Sequence, residues 1–588
     1  MQRTLAILLV TCCFVALTCA QSTNQQPNDP TVKWIAENAV RLKTPEAGHG
    51  FDDMKPLKKM IGNARIVSLG EATHGTREFF QLKHRMMEFL AAEMDFTIFS
   101  IEANMPEAYR LNDYVLNGVG DPAKLLKGMY FWTWDTQEVL AMIQWMREFN
   151  KSGKGRVQFT GFDMQTPDVA MEIVREFVAK NDDSFTKDLA DAFELAKAAP
   201  QNQGPPFGVA TATFPIEAAA GKRVRYSGYI KTKDITRAWA GLWWRVDGKS
   251  GVLAFDNMQD RGAKGTTDWK RYEIELPVAA DVKNINFGVI HSGDGSAWFD
   301  GLEITLDGKP YREKTNFDLD FESSAVAGFY TGGEGYEVGL DSTTFQSGKQ
   351  SLSMKYVGKP AATAKPPVDP KKAITAWQGV VRRLEDSRNS FTQKGIAGRD
   401  LDWVIQNARV VLQTMQMRSN DISRDQSMAE NVKWILYHNP NAKIVLWAHN
   451  GHVASAFAPA YKPMGAYLRE MFGEKMVVVG FAFNQGAFQA IERGKGLHDF
   501  TVPPAPAGSL DSTLAATGIP LFAIDLRKVP KGSPVETWLN QPHKSRNIGA
   551  LFSNEMDNQF QVDLKARDSF DVLLFVEKTT AARKNSPN

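Results

Sequence analysis

The sequence predicts an α/β protein, with a mostly parallel β-sheet flanked by helices and an all-β sandwich inserted into it. Three observations carry this. Short, nearly continuous apolar runs such as "ARIVSLG" (64–70) and "FTIFSIEA" (96–103) alternate with long helical patterns. The rhythm stops near Pro200 and gives way to short alternating segments punctuated by Gly and Asp. It resumes after residue 370 with helical patterns and the buried runs "AKIVLWAHN" (442–450) and "MVVVGFAF" (476–483).

At 588 residues the chain exceeds what one core supports. The first α/β part spans 33–200. Its helix "REFFQLKHRMMEFLAAEM" (77–94) repeats Phe80, His84, Met87 and Ala91 at helical spacing, and "QEVLAMIQWMREFN" (137–150) precedes the strand "VQFTGFD" (157–163). The sandwich occupies 205–358, with "RVRYSGYIKT", "KRYEIELPV", "NINFGVIHSG" and "AWFDGLEITLDG" as strands, and a Pro/Ala/Lys spacer closes it. The second α/β part, 370–588, opens with helices at 372–395, 400–418 and 423–438.

Residues 1–20 read as a signal peptide: Arg3, an apolar stretch from Leu5 to Leu17, then Thr18 and Ala20 before a polar tail. Leu17 and Thr18 are not the usual pair before a lipid-bearing cysteine, so Cys19 does not read as a lipoprotein site. Cys12, Cys13 and Cys19 all lie in this leader, so the mature chain is left without disulfide, thiol or cysteine–metal chemistry. That suits a periplasmic or secreted protein. A formal charge of +2 and no clustered Lys/Arg stripe argue against nucleic acid. No later run reaches the roughly 20 apolar residues of a membrane span.

Four of these strands end in ionisable residues, namely Glu71, Glu102, Asp163 and His449. Ligand crevices of open α/β sheets lie outside the carboxyl ends of the strands, so these groups are expected to converge. His74, in "GEATHG", begins a helix three residues after Glu71. It either packs in a capped first turn or serves as a general base oriented by Glu71. "WAHNGHVA" adds His449 and His452, as oxyanion donors, metal ligands or solvated loop residues. Arg77, Trp134, Asp163 and Arg424 are candidates to bind substrate, Arg424 by forking onto a carboxylate and Trp134, in "MYFWTWDT", as part of an apolar wall. His84 lies on an apolar helical stripe and reads as a core histidine.

In order, "GEATHGTREFFQLKHRMMEFL", "IEAN", "YVLNG", "WTWDTQEVL", "GFDMQ", "RDQSMAENVKWIL" and "WAHNGHV" resemble the erythromycin esterase family. The resemblance implies water-mediated ester hydrolysis without a covalent intermediate, with the base at His74, partner acids at Glu71 and Glu102, and late histidines at His449 and His452. The wider superfamily includes haem-binding and metal-dependent peptidase relatives. The insertion departs from the family. Residues 205–314 resemble the later part of a jelly-roll carbohydrate-binding module and 315–358 its opening, as in a circular permutation. Trp239, Trp243, Trp244 and Trp298 either stack on a sugar or fill the core. The expected function is an exported hydrolase of a small-molecule ester, macrolide-type or carbohydrate-linked, with no cofactor. Two alternatives stand beside it: a metal-dependent hydrolase with Glu71, His74, Glu102 and His449 as ligands to a divalent ion, and a non-enzymatic polysaccharide- or haem-binding protein.

Overall fold

The structure, a computed structural model, describes residues 29–199, 207–248, 251–313, 315–333, 335–358, 370–457, 461–492, 495–553 and 560–585. The leader 1–20 and most of the spacer lie outside these residues.

A nine-stranded sheet forms the first layer. Across it run Val40–Arg41, Leu521–Asp525, Val572–Thr579, Met476–Glu492, Ile66–Leu69, Lys443–Trp447, Phe96–Asn104 and Gln158–Asp163, with Gly496–Val502 paired to the far end of Met476–Glu492. From Val572–Thr579 to Gln158–Asp163 all neighbours are parallel. The outer pairs and the Gly496–Val502 pair are antiparallel. The sheet is therefore mixed around a parallel centre.

Side chains alternate between the faces of a strand, and both faces here are covered, so the central strands are mostly apolar, with Ser68 and Ser100 as buried exceptions. Ile66, Ile98, Ile444 and Val478 enter one core with helices Asp168–Asn181, Gly398–Arg418 and Arg424–Tyr437. Val67, Phe99, Val445 and Val479 enter the other, under helices Arg77–Met94 and Gln137–Lys151. Helix Arg77–Met94 buries Phe79, Phe80, Leu82, Met86, Phe89 and Leu90. His84 is half-buried on it against Trp145, its Nε2 without a hydrogen bond but 3.7 Å from Glu88 Oε1, and loss of solvent pushes its imidazole down to about 4.

The strands between 207 and 356 form a separate ten-stranded antiparallel sheet with its own apolar core. Its long central strand, Arg223–Gly248, pairs with Ser296–Leu306 and Asn284–Ser292. The later segment joins the same sheet: Ser351–Tyr356 pairs with Ser296–Leu306, and Tyr330–Gly332 with Phe207–Thr213. Trp244 is a core residue packed on Tyr226 and Phe287. Trp298 is half-buried and donates to Asp341 at 2.7 Å, and Trp239 donates to the Asn257 carbonyl at 3.1 Å.

Candidate active site

Glu71, His449, Glu102 and Asp163 stand at the carboxyl ends of Ile66–Leu69, Lys443–Trp447, Phe96–Asn104 and Gln158–Asp163, four strands that are consecutive in the sheet. The turn carrying Glu71 and His74 is pinned from several sides. Asn450 N–H donates to the Glu71 carbonyl at 2.8 Å, Ile548 N–H to the Ala72 carbonyl at 2.7 Å and Gln489 N–H to the Gly75 carbonyl at 3.0 Å. Both glycines of "GEATHG" serve close approach. A Cβ on Gly70 would lie 2.2 Å from Asn450 Oδ1, and one on Gly75 would lie 2.3 Å from the Gln489 carbonyl oxygen.

Glu71 is fully buried and all its acceptor capacity is directed. Oε1 lies 2.7 Å from His74 Nδ1, while Oε2 accepts from Lys83 Nζ and from Trp447 Nε1 at 2.7 Å. Burial pushes this carboxyl up, but Lys83 and His74 outweigh it and hold it below the usual carboxylate range. Burial pushes the Lys83 ammonium down to about 8 against the pull of Glu71. A carboxylate only accepts, so His74 Nδ1 carries the hydrogen and Nε2 keeps its lone pair. The His74 side chain retains 14% exposure, enough to open Nε2 to the crevice.

His449 stacks beside His74 with ring centroids 4.9 Å apart. Its Nε2 donates to the Ile548 carbonyl at 3.2 Å and its Nδ1 accepts from Gly451 N–H at 3.2 Å. Burial, then the neighbouring His74 and His452, push it down to about 3, so it is neutral. The donor that an oxyanion would need is already committed. His449 is a wall of the site and a steric support for His74.

The other half of the site centres on Arg424, the first residue of helix Arg424–Tyr437, whose preceding Ser423 caps Gln426 N–H at 3.1 Å. Its guanidinium forks onto Asp163 at 3.0 and 2.7 Å and reaches Glu102 Oε1 at 2.6 Å and His452 Nε2 at 3.0 Å. Glu102 Oε2 accepts the His449 backbone N–H at 2.9 Å. Burial pushes the Glu102 carboxyl up, but His452 and Arg424 reverse this and hold it well below the usual range. His452 Nδ1 lies 2.8 Å from Asp425 Oδ1, and Tyr461 donates to Asp425 Oδ2 at 2.6 Å. Burial pushes His452 down, yet Glu102 and Asp425 outweigh it and raise it.

Two expected substrate contacts are placed elsewhere. Arg77 Nε lies 3.5 Å from Glu138 on helix Gln137–Lys151, because the helix start turns it away from the crevice toward a buried carboxylate. Trp134 is 2% exposed, edge-on to Trp447 with centroids 5.1 Å apart, so it supports the residue that holds Glu71 rather than lining a pocket. The metal-ligand set does not fit either. Lys83, Trp447, Arg424 and the His449 backbone already occupy the oxygens of Glu71 and Glu102, and His449 has no free lone pair. Among the described residues no group of three or more His, Cys, Asp or Glu is arranged to hold a metal ion. Sequence reasoning missed Lys83, Trp447 and Tyr461. A lysine inside the apolar stripe of 77–94 was the available signal for the first of them.

The family model described as erythromycin esterase matches residues 91–221 and 350–579. Erythromycin esterase type II of Escherichia coli is 31% identical over 172 residues, which are 28% of this chain and 40% of that protein. The matched stretches cover less than half the length of the curated relatives. Among solved structures, a Bacillus cereus protein superposes with a TM-score of 0.59 at 20% identity, over 95% of this chain and 98% of that one. A mutant of the erythromycin esterase EreC in its open conformation gives 0.51 at 13% identity, over 92% and 96%. These two likenesses are of fold.

Proposed function

Since this chain belongs to the erythromycin esterase family, we propose that it hydrolyses an ester or lactone, with His74 as the general base that activates water. The observation that carries this reading is the Glu71–His74 pair, 2.7 Å apart and locked by Lys83 and Trp447. His74 Nε2 takes a proton from water as the water attacks the carbonyl carbon. Glu71 stabilises the imidazolium that forms, and the neutral His449 beside it adds no repulsion. Arg424, whose Nη1 donates to His452 Nε2 at 3.0 Å, brings positive charge to the rim where the oxyanion develops. General-base assistance of this kind contributes about 10²–10⁴ in rate.

The substrate we propose is a small ester, either macrolide-type or carbohydrate-linked. The insertion is proposed to be a permuted jelly roll of about 205–358, between α/β parts 33–200 and 370–588. The pairing of Ser351–Tyr356 into the sheet of 207–306 supports this, as does the break in the family match between 221 and 350. Export is proposed from the leader pattern of residues 1–20. A panel of aryl esters, alkyl esters, a macrolactone and an acetylated sugar tests the activity. Release of acid and alcohol from at least one is expected, and hydrolysis of none would overturn the reading.

A further inference from the structure

A segment late in the chain, 546–552, is stitched into the site by its backbone. Ile548 is fully buried and spends both of its main-chain groups there. Its N–H donates to the Ala72 carbonyl at 2.7 Å, between Glu71 and His74, and its carbonyl accepts from His449 Nε2 at 3.2 Å. The first bond holds the turn that carries the base. The second leaves His449 Nδ1 to accept Gly451 N–H at 3.2 Å, so this imidazole has no lone pair open to a proton beside His74.

The anchor of Ile548 lies two residues earlier. Strand His543–Arg546 ends in Arg546, 1% exposed, whose Nη1 donates to the Asn484 carbonyl and whose Nη2 donates to the Pro503 carbonyl at 2.8 Å. The guanidinium lies over the Phe483 ring, 5.4 Å from its centroid. Its backbone N–H donates to Asp511 Oδ2 at 2.9 Å, and the Ser545 hydroxyl donates to Asp511 Oδ1 at 3.2 Å. Asn484 belongs to Met476–Glu492, the strand that also holds the Gly75 carbonyl through Gln489 N–H and meets Ala550 and Phe552 through Ile491. One strand thus carries both the segment and the turn. A buried guanidinium is costly unless its hydrogen bonds are made, and here its planar fork reaches two carbonyls at once.

We propose that Arg546 is a positioning residue for the water-activating pair, acting through the Ile548 backbone to hold the Glu71–His74 turn and to keep His449 neutral beside it. This rests on the ester-hydrolase reading above. The titratable groups facing His449 are Glu71 and His74 from the turn, Glu102 from the adjacent strand and His452 from the turn that follows. Burial comes first in keeping His449 neutral, His74 and His452 add to it, and Glu71 and Glu102 oppose it. Once the segment relaxes, His449 is free to turn, exposes a lone pair and titrates near its ordinary 6.5. A cationic His449 at 4.9 Å then opposes the imidazolium that His74 becomes as it takes the proton of water.

The test is the pH dependence of kcat/KM on p-nitrophenyl butyrate for the full chain, wild type against Arg546→Met and Arg546→Lys, at equal folded fraction. Arg546→Met should lie within about threefold of wild type near pH 8, where a released His449 is neutral. It should lie at least about tenfold below wild type at about pH 5.5, where a group titrating near 6.5 is about nine-tenths protonated. Arg546→Lys keeps the charge without the planar fork and should show the same divergence at smaller size. If Arg546→Met fails to fold, the lysine variant still decides the matter. A merely structural anchor would lower Tm and leave the ratio to wild type the same at both pH values. A pH-independent ratio in every variant that folds would overturn the proposal alone. Wild-type protein inert toward this ester and toward the whole panel would overturn the hydrolase reading and this proposal together.

Discussion

His449, buried, and His84, half-buried, are imidazoles whose folded values, about 3 and about 4, lie below their ordinary 6.5. Between those limits the unfolded chain binds protons that the folded chain refuses. Their contribution to stability is therefore complete above about 6.5 and is lost as pH falls toward 3–4. Glu71 and Glu102 are held below 4.5 and add a further loss once pH drops through the carboxylate range. His452 is raised and acts in the opposite sense, favouring the folded state below its ordinary value. Tm measured from pH 7 to pH 4 should fall steadily in wild type. His84→Gln, remote from the crevice, should flatten that slope. An unchanged slope would show that His84 is not the neutral group described.

Helix Arg77–Met94 ties the core to the site through Phe80, which lies edge-on to Trp447 at 4.8 Å and 6.4 Å from Trp134. Phe80→Ala should cost about 3–5 kcal/mol in denaturant melts, and it should also lower turnover, because Trp447 then loses the packing that aims its N–H at Glu71. A loss of stability with unchanged turnover in the remaining folded fraction would separate the two roles. The strands were legible in the sequence because both their faces are buried, which makes runs such as "ARIVSLG" continuous and leaves Glu71, Glu102, Asp163 and His449 as their terminal polar residues. Arg424 was legible as a fork at a helix start. The direction of Arg77 was not, since a helix start offers two faces and Glu138 lies 61 positions away in the chain. Trp447 hid inside an apolar run, and its hydrogen bond to Glu71 has no sequence signature. Tyr461 follows an irregular stretch without periodicity, so nothing placed it beside Asp425.

At the scale of the whole molecule, the chain leaves the first α/β part after helix Thr186–Ala198 and returns in helix Pro370–Asp386. These two helices pack together: Trp377 Nε1 donates to the Ala192 carbonyl at 3.1 Å, and its ring lies 5.7 Å from Phe193. Departure and return are thus adjacent, as an insertion into a surface connection requires. Replacing about 200–365 with a short linker should leave a folded α/β protein with a cooperative melt and the same hydrolysis of simple esters. Loss of folding would mean that the ten-stranded sheet is needed by the α/β core. The central claim is that His74, oriented by Glu71, activates water, and it is tested most directly by comparing kcat/KM of wild type and His74→Ala on a hydrolysed ester at equal folded fraction. The account predicts a loss of at least about a hundredfold with Tm preserved; equal hydrolysis by the two proteins would contradict it.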